Sequence, residues 1–453
     1  MKKIVIKNRL IGSGMKYLGW SGRGWSDGGP IGAGPLNCQA PSWDSFGQEI
    51  GINMVRMGFS IKHFLSERDM TNSPKNLSDL IKKGLENKDV SWAKSAHTSY
   101  SSAIQRCSDL GWKILICINP SYKSDWDPKQ ITQSTHSLQI WKNFCFHLSK
   151  SIEENWPGMA EYFEITNEPD IGYFDGESFL PDYNGPRGGM TPFQYCCLLQ
   201  NAYEGIKNAL PKAKIIGPGL ASWNQRWIED VLAQSSSCLD GISYHNVGGH
   251  LKDEEILKDA ERLLEKYETK TAKFILNSEW AWWPNHDTNT HETALRIAQI
   301  LHLQAAGKAY GSLYLGPAQP KAFSSGLGVL KFDPDDPNSV EKTKTFFAFR
   351  MMARGILGGN QLEMMNPFNK LKTLTLLTGK NEIVMTVINP STKKFKNLGI
   401  DIDLTLNPRK NLPLKLFKFD HDHLDSKEEA NYKTLKKFHM NPESILQFVF
   451  RVL

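Results

Sequence analysis

A repeating order of short, β-branched apolar runs and longer amphipathic stretches constrains this chain more than any other feature. The runs are Ile52–Gly58, Lys113–Ile118, Tyr162–Thr166, Lys214–Gly217, Gly241–His245, Phe274–Asn277 and Ser312–Leu315. Most are continuously apolar rather than alternating, as strands buried on both faces of a parallel sheet are. Ala103–Leu110, Ser137–Asn155, Pro192–Leu210, Ile256–Tyr267 and His291–Ala306 carry helical periodicity between them. A further strand near Lys16–Trp20 makes eight. Eight such units over about 300 residues predict an α/β fold, a (β/α)8 TIM barrel spanning 9–357, with its chemistry at the C-terminal strand ends. A doubly wound open sheet is the alternative. Its first strand would lead into a Gly-rich phosphate loop, and the sequence holds neither G-x-G-x-x-G nor a P-loop. No cofactor is expected.

After about Gly358 the pattern changes. Thr373–Leu377, Ile383–Ile388, Ile400–Leu406, Leu414–Phe419 and Ile445–Val452 are strand-like and separated by turn residues, with no long helical crossover. These predict a small C-terminal antiparallel β-sandwich over 358–453, into which the N-terminal strand within 2–8 can pair. The formal charge is 54 − 48 = +6, and Gln361–Leu453 supplies 15 − 10 = +5 of it. The lysines there alternate with Asp420, Asp422, Asp425, Glu428 and Glu429. That spacing reads as solvated surface, so no nucleic-acid partner is expected. No apolar run approaches the roughly 20 residues of a membrane-spanning helix. The seven cysteines form no C-x-x-C pair, and a chain able to build a large core has little need of a disulfide framework. Met1–Asn8 starts positively charged but lacks the apolar stretch of a secretion signal, so a reducing, cytoplasmic setting is the default expectation. Nothing in the sequence sets an oligomeric state.

Two glutamates stand out by position. Glu168 ends the fourth strand in Ile165-Thr166-Asn167-Glu168-Pro169, and Glu279 ends the seventh in Leu276-Asn277-Ser278-Glu279-Trp280. A charge at a buried strand end is costly unless it has a partner or a task. Strands four and seven lie on opposite sides of a barrel mouth, so the two carboxylates can face each other, as glycoside hydrolysis requires. Pro169 keeps Glu168 out of the right-handed helical region. Arg56, embedded in the second strand with no carboxylate beside it in sequence, calls for a buried anionic partner. Tyr244 and His245 end the sixth strand, and alternation admits either to the mouth. Trp20 and Trp25, Trp223 and Trp227, and Trp280, Trp282 and Trp283 follow strands one, five and seven, where indoles can stack on the apolar faces of sugar rings.

The Asn167-Glu168-Pro169 motif, with Glu279 and its following aromatic, resembles the clan A retaining glycoside hydrolases. With the appended β domain and its closing strand Ser444–Phe450, the chain looks most like family 39, with families 5 and 30 as near neighbours. The resemblance implies that Glu168 is the general acid/base and Glu279 the nucleophile, braced by Arg56. It further implies that Asn167 bonds the sugar 2-hydroxyl and that His245 or Tyr244 lies near the nucleophile. Many clan members carry a Trp after strand eight, whereas this chain has Tyr314-Leu315-Gly316-Pro317-Ala318-Gln319. Tyr314 is the candidate there.

The expected activity is therefore retaining hydrolysis of β-glycosidic bonds in an oligo- or polysaccharide substrate. One alternative is a non-catalytic saccharide-binding protein on the same scaffold. A metal-dependent barrel hydrolase is a third reading, but no H-x-H follows the first strand and no H-E-x-x-H occurs, so no metal is expected in the chemistry.

Overall fold

The computed structural model describes residues 3–21, 42–66, 69, 76–87, 99–120, 131–171, 189–248, 252–267, 274–282, 289–315, 318–320, 328–333, 336–403 and 414–452. Eight parallel strands close a barrel in chain order: β2 (Tyr17–Ser21), β3 (Met54–Ser60), β4 (Lys113–Asn119), β5 (Tyr162–Ile165), β6 (Lys214–Leu220), β7 (Gly241–Val247), β8 (Phe274–Ala281) and β9 (Gly311–Leu315). Closure is by β2 against β9, from Tyr17 beside Gly311 to Ser21 beside Leu315. Every expected barrel run is a strand. Tyr17, Met54, Leu115, Tyr162, Ile216, Leu276 and Leu313 fill the lower barrel as one apolar layer, so the interior is a packed core and not a pore.

The crossover helices are α1 (Ser42–Ile50), α2 (Leu77–Glu86), α3 (Tyr100–Asp109), α4 (Thr135–Asn155), α5 (Pro192–Ala209), α6 (Gln225–Ser235), α7 (Asp253–Lys266), α8 (His291–Ala306) and α9 (Lys344–Ile356). Their starts are written in sequence. Thr191 and Gln194 form a reciprocal capping box on α5 with Pro192 in its first turn, and Ser134 and Thr290 cap α4 and α8. The eighth crossover, α9, was not among the periodic stretches above. It buries Phe346, Phe349, Met352 and Ile356 against the barrel wall.

Past the barrel, β10 (Ala318–Pro320), β11 (Leu330–Asp333) and β12 (Asp336–Lys342) form a small three-stranded sheet. The C-terminal region is a nine-stranded sheet. It contains β13 (Asn360–Met365), β14 (Lys372–Leu377), β15 (Glu382–Asn389), β16 (Phe395–Ile402), β17 (Leu414–Phe419), β18 (Leu424–Ala430), β19 (Phe438–Met440) and β20 (Ser444–Arg451). The strand β1 (Lys3–Ser13) enters it, antiparallel to β13 and parallel to β16. The order is β18-β17-β20-β15-β14-β13-β1-β16-β19. Ile4, Ile6, Ile383, Met385, Phe438, Met440 and Phe448 share one core, so the sheet curls over itself in the manner of a sandwich. The strand expected over Ile400–Leu406 begins earlier, at Phe395, and 404–410 lie outside the described residues.

Candidate active site

The polar groups of the barrel lie directly above the apolar layer. Arg56, on β3, points inward one pleat above Met54. It donates from Nε to Glu164 Oε2 at 2.6 Å, and its NH2 lies 2.5 Å from the same oxygen. NH1 donates to Glu279 Oε2 at 3.0 Å, and NH2 also donates to Asn167 Oδ1 at 2.6 Å. Glu164 is fully buried on β5 and accepts a further bond from Ser278 Oγ at 2.6 Å. Burial opposes ionisation of Glu164, but the Arg56 guanidinium and then His245 outweigh it and hold the carboxyl below its usual range.

Glu279 reaches this cluster through a register break. Between β7 and β8, Tyr244 faces Asn277 but His245 faces Glu279, so one residue of β8 is inserted. Ser278 and the next residue, Glu279, therefore both turn inward, where strict alternation would send one out. Glu279 is 2% exposed and also accepts a bond from Ser21 Oγ at 3.0 Å.

Glu168 follows β5 through an irregular turn. Thr166 and Glu168 hold positive φ of 67° and 46°, a region non-glycine residues occupy only when the surroundings impose it. The surroundings here are the Asn119 side chain, which accepts from the Asn167 amide at 2.7 Å, and the Gly219 carbonyl, which accepts from the Glu168 amide at 3.0 Å. Gly219 is itself at φ +54°, and a Cβ there would lie 2.7 Å from Glu164 Oε1, so only glycine fits.

His245 resolves the choice at the end of β7. Its Nδ1 lies 3.0 Å from Glu168 Oε1, whereas the neighbouring Tyr244 points out of the barrel and donates to buried Asp253 at 2.9 Å. Burial alone would lower the His245 pKa. The hydrogen bond to Glu168 and the charge of Glu279 more than offset it, so the imidazole is raised. Asp170, two residues past Glu168, accepts from the Ala221 amide at 2.9 Å, and burial pushes its carboxyl up to about 6.

One oxygen of Glu168, one of Glu279 and one ring nitrogen of His245 lie within 4.8 Å of one another. That spacing would admit a metal ion, but Glu279 Oε2 already faces the Arg56 guanidinium, and a second cation beside it is electrostatically disfavoured. The trio suits two opposed carboxylates better than a metal site.

The aromatic expectations divide. Trp20, Trp280 and Tyr314 do not face the mouth. Successive strand side chains point to opposite faces, and these three fall on the outer one, buried against Phe349 of α9 with ring centroids 5.9, 6.0 and 5.1 Å away. Trp280 Nε1 donates to Ser312 Oγ at 2.8 Å, which completes a core position. Trp223 and Trp282 are half-buried. Trp223 packs edge-on to Tyr244, and the Arg296 guanidinium lies 5.0 Å from the centre of the Trp282 ring. Trp25 and Trp283 lie outside the described residues, as do 172–188 of the segment after Glu168. Sequence reasoning passed over Glu164, Ser21, Asn119 and Asp170. Only Glu164 had a visible signal, a charge in the middle of an apolar strand.

No protein-family model matches the chain, and no curated protein matches its sequence. Solved structures do. A GH39 β-xylosidase from Caulobacter crescentus aligns over the whole of both chains with TM-score 0.63 and 14% identity. A GH30 endoxylanase from Clostridium papyrosolvens C71 does so with TM-score 0.63 and 13% identity. An α-L-arabinofuranosidase from Thermotoga maritima aligns over 99% of this chain and all of its own, with TM-score 0.67 and 14% identity. The chain shares their fold. The barrel with its curled sheet is thus an architecture that glycoside hydrolases of several families use.

Proposed function

We propose that this protein is a retaining glycoside hydrolase that cleaves β-glycosidic bonds of an oligo- or polysaccharide by double displacement. The carrying observation is the approach of Glu168 and Glu279 oxygens to within 4.8 Å across the barrel mouth. So close an approach of the nearest oxygens accords with retaining enzymes, whose carboxyls stand about 5–5.5 Å apart.

In this reading Glu279, paired with Arg56, attacks the anomeric carbon while the bond to the leaving oxygen breaks. Glu168 delivers to that oxygen the proton held between its Oε1 and His245 Nδ1. Water then attacks the glycosyl ester, Glu168 takes its proton, and Glu279 departs as a carboxylate. The Ser21 and Arg56 bonds to Glu279 Oε2 fix the nucleophile and leave its second oxygen for attack. Asn167, oriented by Arg56, is the candidate contact for the sugar 2-hydroxyl.

The similar structures include a β-xylosidase, an endoxylanase and an α-L-arabinofuranosidase, so aryl pentosides head the panel to assay. Glu168→Ala and Glu279→Ala should each abolish hydrolysis of an unactivated glycoside while preserving the far-UV circular dichroism spectrum. Unchanged turnover in the Glu279 variant would overturn the assignment, and glycan binding without turnover in the wild type would favour a pure binding role.

A further inference from the structure

A second convergence of ligating side chains lies outside the barrel, where α8 meets the C-terminal sheet. His291 is the first residue of α8, His421 lies in the turn between β17 and β18, and Glu443 in the turn between β19 and β20. One ring nitrogen of each histidine and one oxygen of Glu443 lie within 4.8 Å of one another. His421 Nε2 is 3.2 Å from Glu443 Oε2, and the two imidazoles stack with centroids 4.1 Å apart. Phe419 covers the His291 ring at 5.1 Å, nearly parallel to it.

His291 is the informative member. Its Nε2 lies 2.5 Å from the Glu443 carbonyl oxygen, which can only accept, so Nε2 carries the proton and Nδ1 a bare lone pair. Among the described residues that buried Nδ1 has no hydrogen-bond partner, an expensive state for a polar atom.

Bonds other than those of His291 and His421 also hold the two turns, among them His423 Nδ1 to Asp420 Oδ1 at 2.7 Å. Asp420 Oδ1 accepts from the amides of Asp422 and His423, and Oδ2 accepts from Asn441 Nδ2, tying one turn to the other. The Glu443 amide donates to the Ser391 carbonyl at 3.0 Å while Glu443 adopts φ 46°. The ligand-bearing segments are therefore built before anything binds.

We propose that His291, His421 and Glu443 form a binding site for a divalent transition-metal ion of the zinc class that bridges the barrel helix α8 to the C-terminal sheet. Two imidazoles and one carboxylate are a borderline donor set that takes Zn2+, Ni2+ or Cu2+ in preference to Mg2+ or Ca2+. His421 is 62% exposed, so its ring can turn from the stack to meet the ion. Water completes the coordination. The three ligands are far apart in sequence, so no spacing motif announces them.

The test is calorimetric titration of the chelator-stripped, full-length protein with ZnCl2, beside His421→Ala and Glu443→Gln. The expected result is binding in the wild type that weakens at least about 10–100-fold in each variant, with no binding of MgCl2 or CaCl2. Zn2+ should also raise the melting temperature of the wild type and not of the variants, since an ion that binds only the folded state stabilises it. Both substituted side chains lie at turns, and far-UV circular dichroism checks that the variants fold. Absence of binding by the wild type, or variants that bind as tightly as the wild type, would overturn the proposal.

Discussion

Arg56 and Glu279 meet at 3.0 Å inside the barrel, and the same guanidinium is anchored from behind by a second, fully buried carboxylate, Glu164. The nucleophile candidate is thus held by an arginine that cannot swing away, because Nε and NH2 are both committed to Glu164. Breaking a buried charge pair by removing one partner costs about 3–5 kcal/mol. Glu164→Ala should therefore lower folding stability by roughly that amount, read as a lower urea midpoint. An unchanged midpoint would show that Glu164 does not anchor the site.

Gly219 tests the same cluster from the backbone. A methyl group there meets Glu164 Oε1 at 2.7 Å and requires φ +54° of a non-glycine residue. Gly219→Ala should displace the backbone carbonyl that holds Glu168 and reduce turnover sharply, at a stability cost of about 1–3 kcal/mol. Wild-type kinetics in this variant would contradict the close approach.

The His245 imidazole is raised above its ordinary value by Glu168 and Glu279. A raised histidine contributes stability that is complete below its unfolded pKa of about 6.5 and is lost as pH rises through the higher folded value. The melting-temperature gap between wild type and His245→Asn should accordingly be widest at mildly acid pH and narrow on the alkaline side. A gap that widens with rising pH would reverse the assigned sign. Glu164, held low, acts oppositely: its stabilisation is present above the usual glutamate range and fades only in acid.

Trp280 separates core from binding surface. It is fully buried behind the barrel wall, so Trp280→Ala should cost about 3–5 kcal/mol in thermal or denaturant unfolding. The half-buried Trp282 should lose far less on the same substitution. Equal losses would mean that the two indoles share one environment.

The barrel was legible because continuous β-branched runs recur in register with helices. Glu168 was legible because Asn-Glu-Pro is a strong local signal. Glu279 was found by its position at a strand end, yet what turns it inward is the inserted residue at Ser278–Glu279, a pairing defect with no signature in local composition. Glu164 was overlooked because its meaning lies in Arg56, two strands away and 108 positions back. Trp20, Trp280 and Tyr314 were near the mouth in sequence but on the wrong face of the pleat. The strand β18, Leu424-Asp-Ser-Lys-Glu-Glu-Ala, looked like charged surface because it is an edge, where charges block unwanted pairing.

We propose that Glu279 attacks the sugar and Glu168 exchanges the proton. The direct measurement is azide rescue followed by product stereochemistry, using an activated aryl β-glycoside that the wild type cleaves. Glu279→Gly in azide should yield the α-glycosyl azide, because azide then enters from the face the nucleophile has vacated. Glu168→Ala should instead yield the β-glycosyl azide, because azide replaces the water of the second step. A β-azide from the Glu279 variant, or wild-type hydrolysis by it without azide, would rule out Glu279 as the nucleophile.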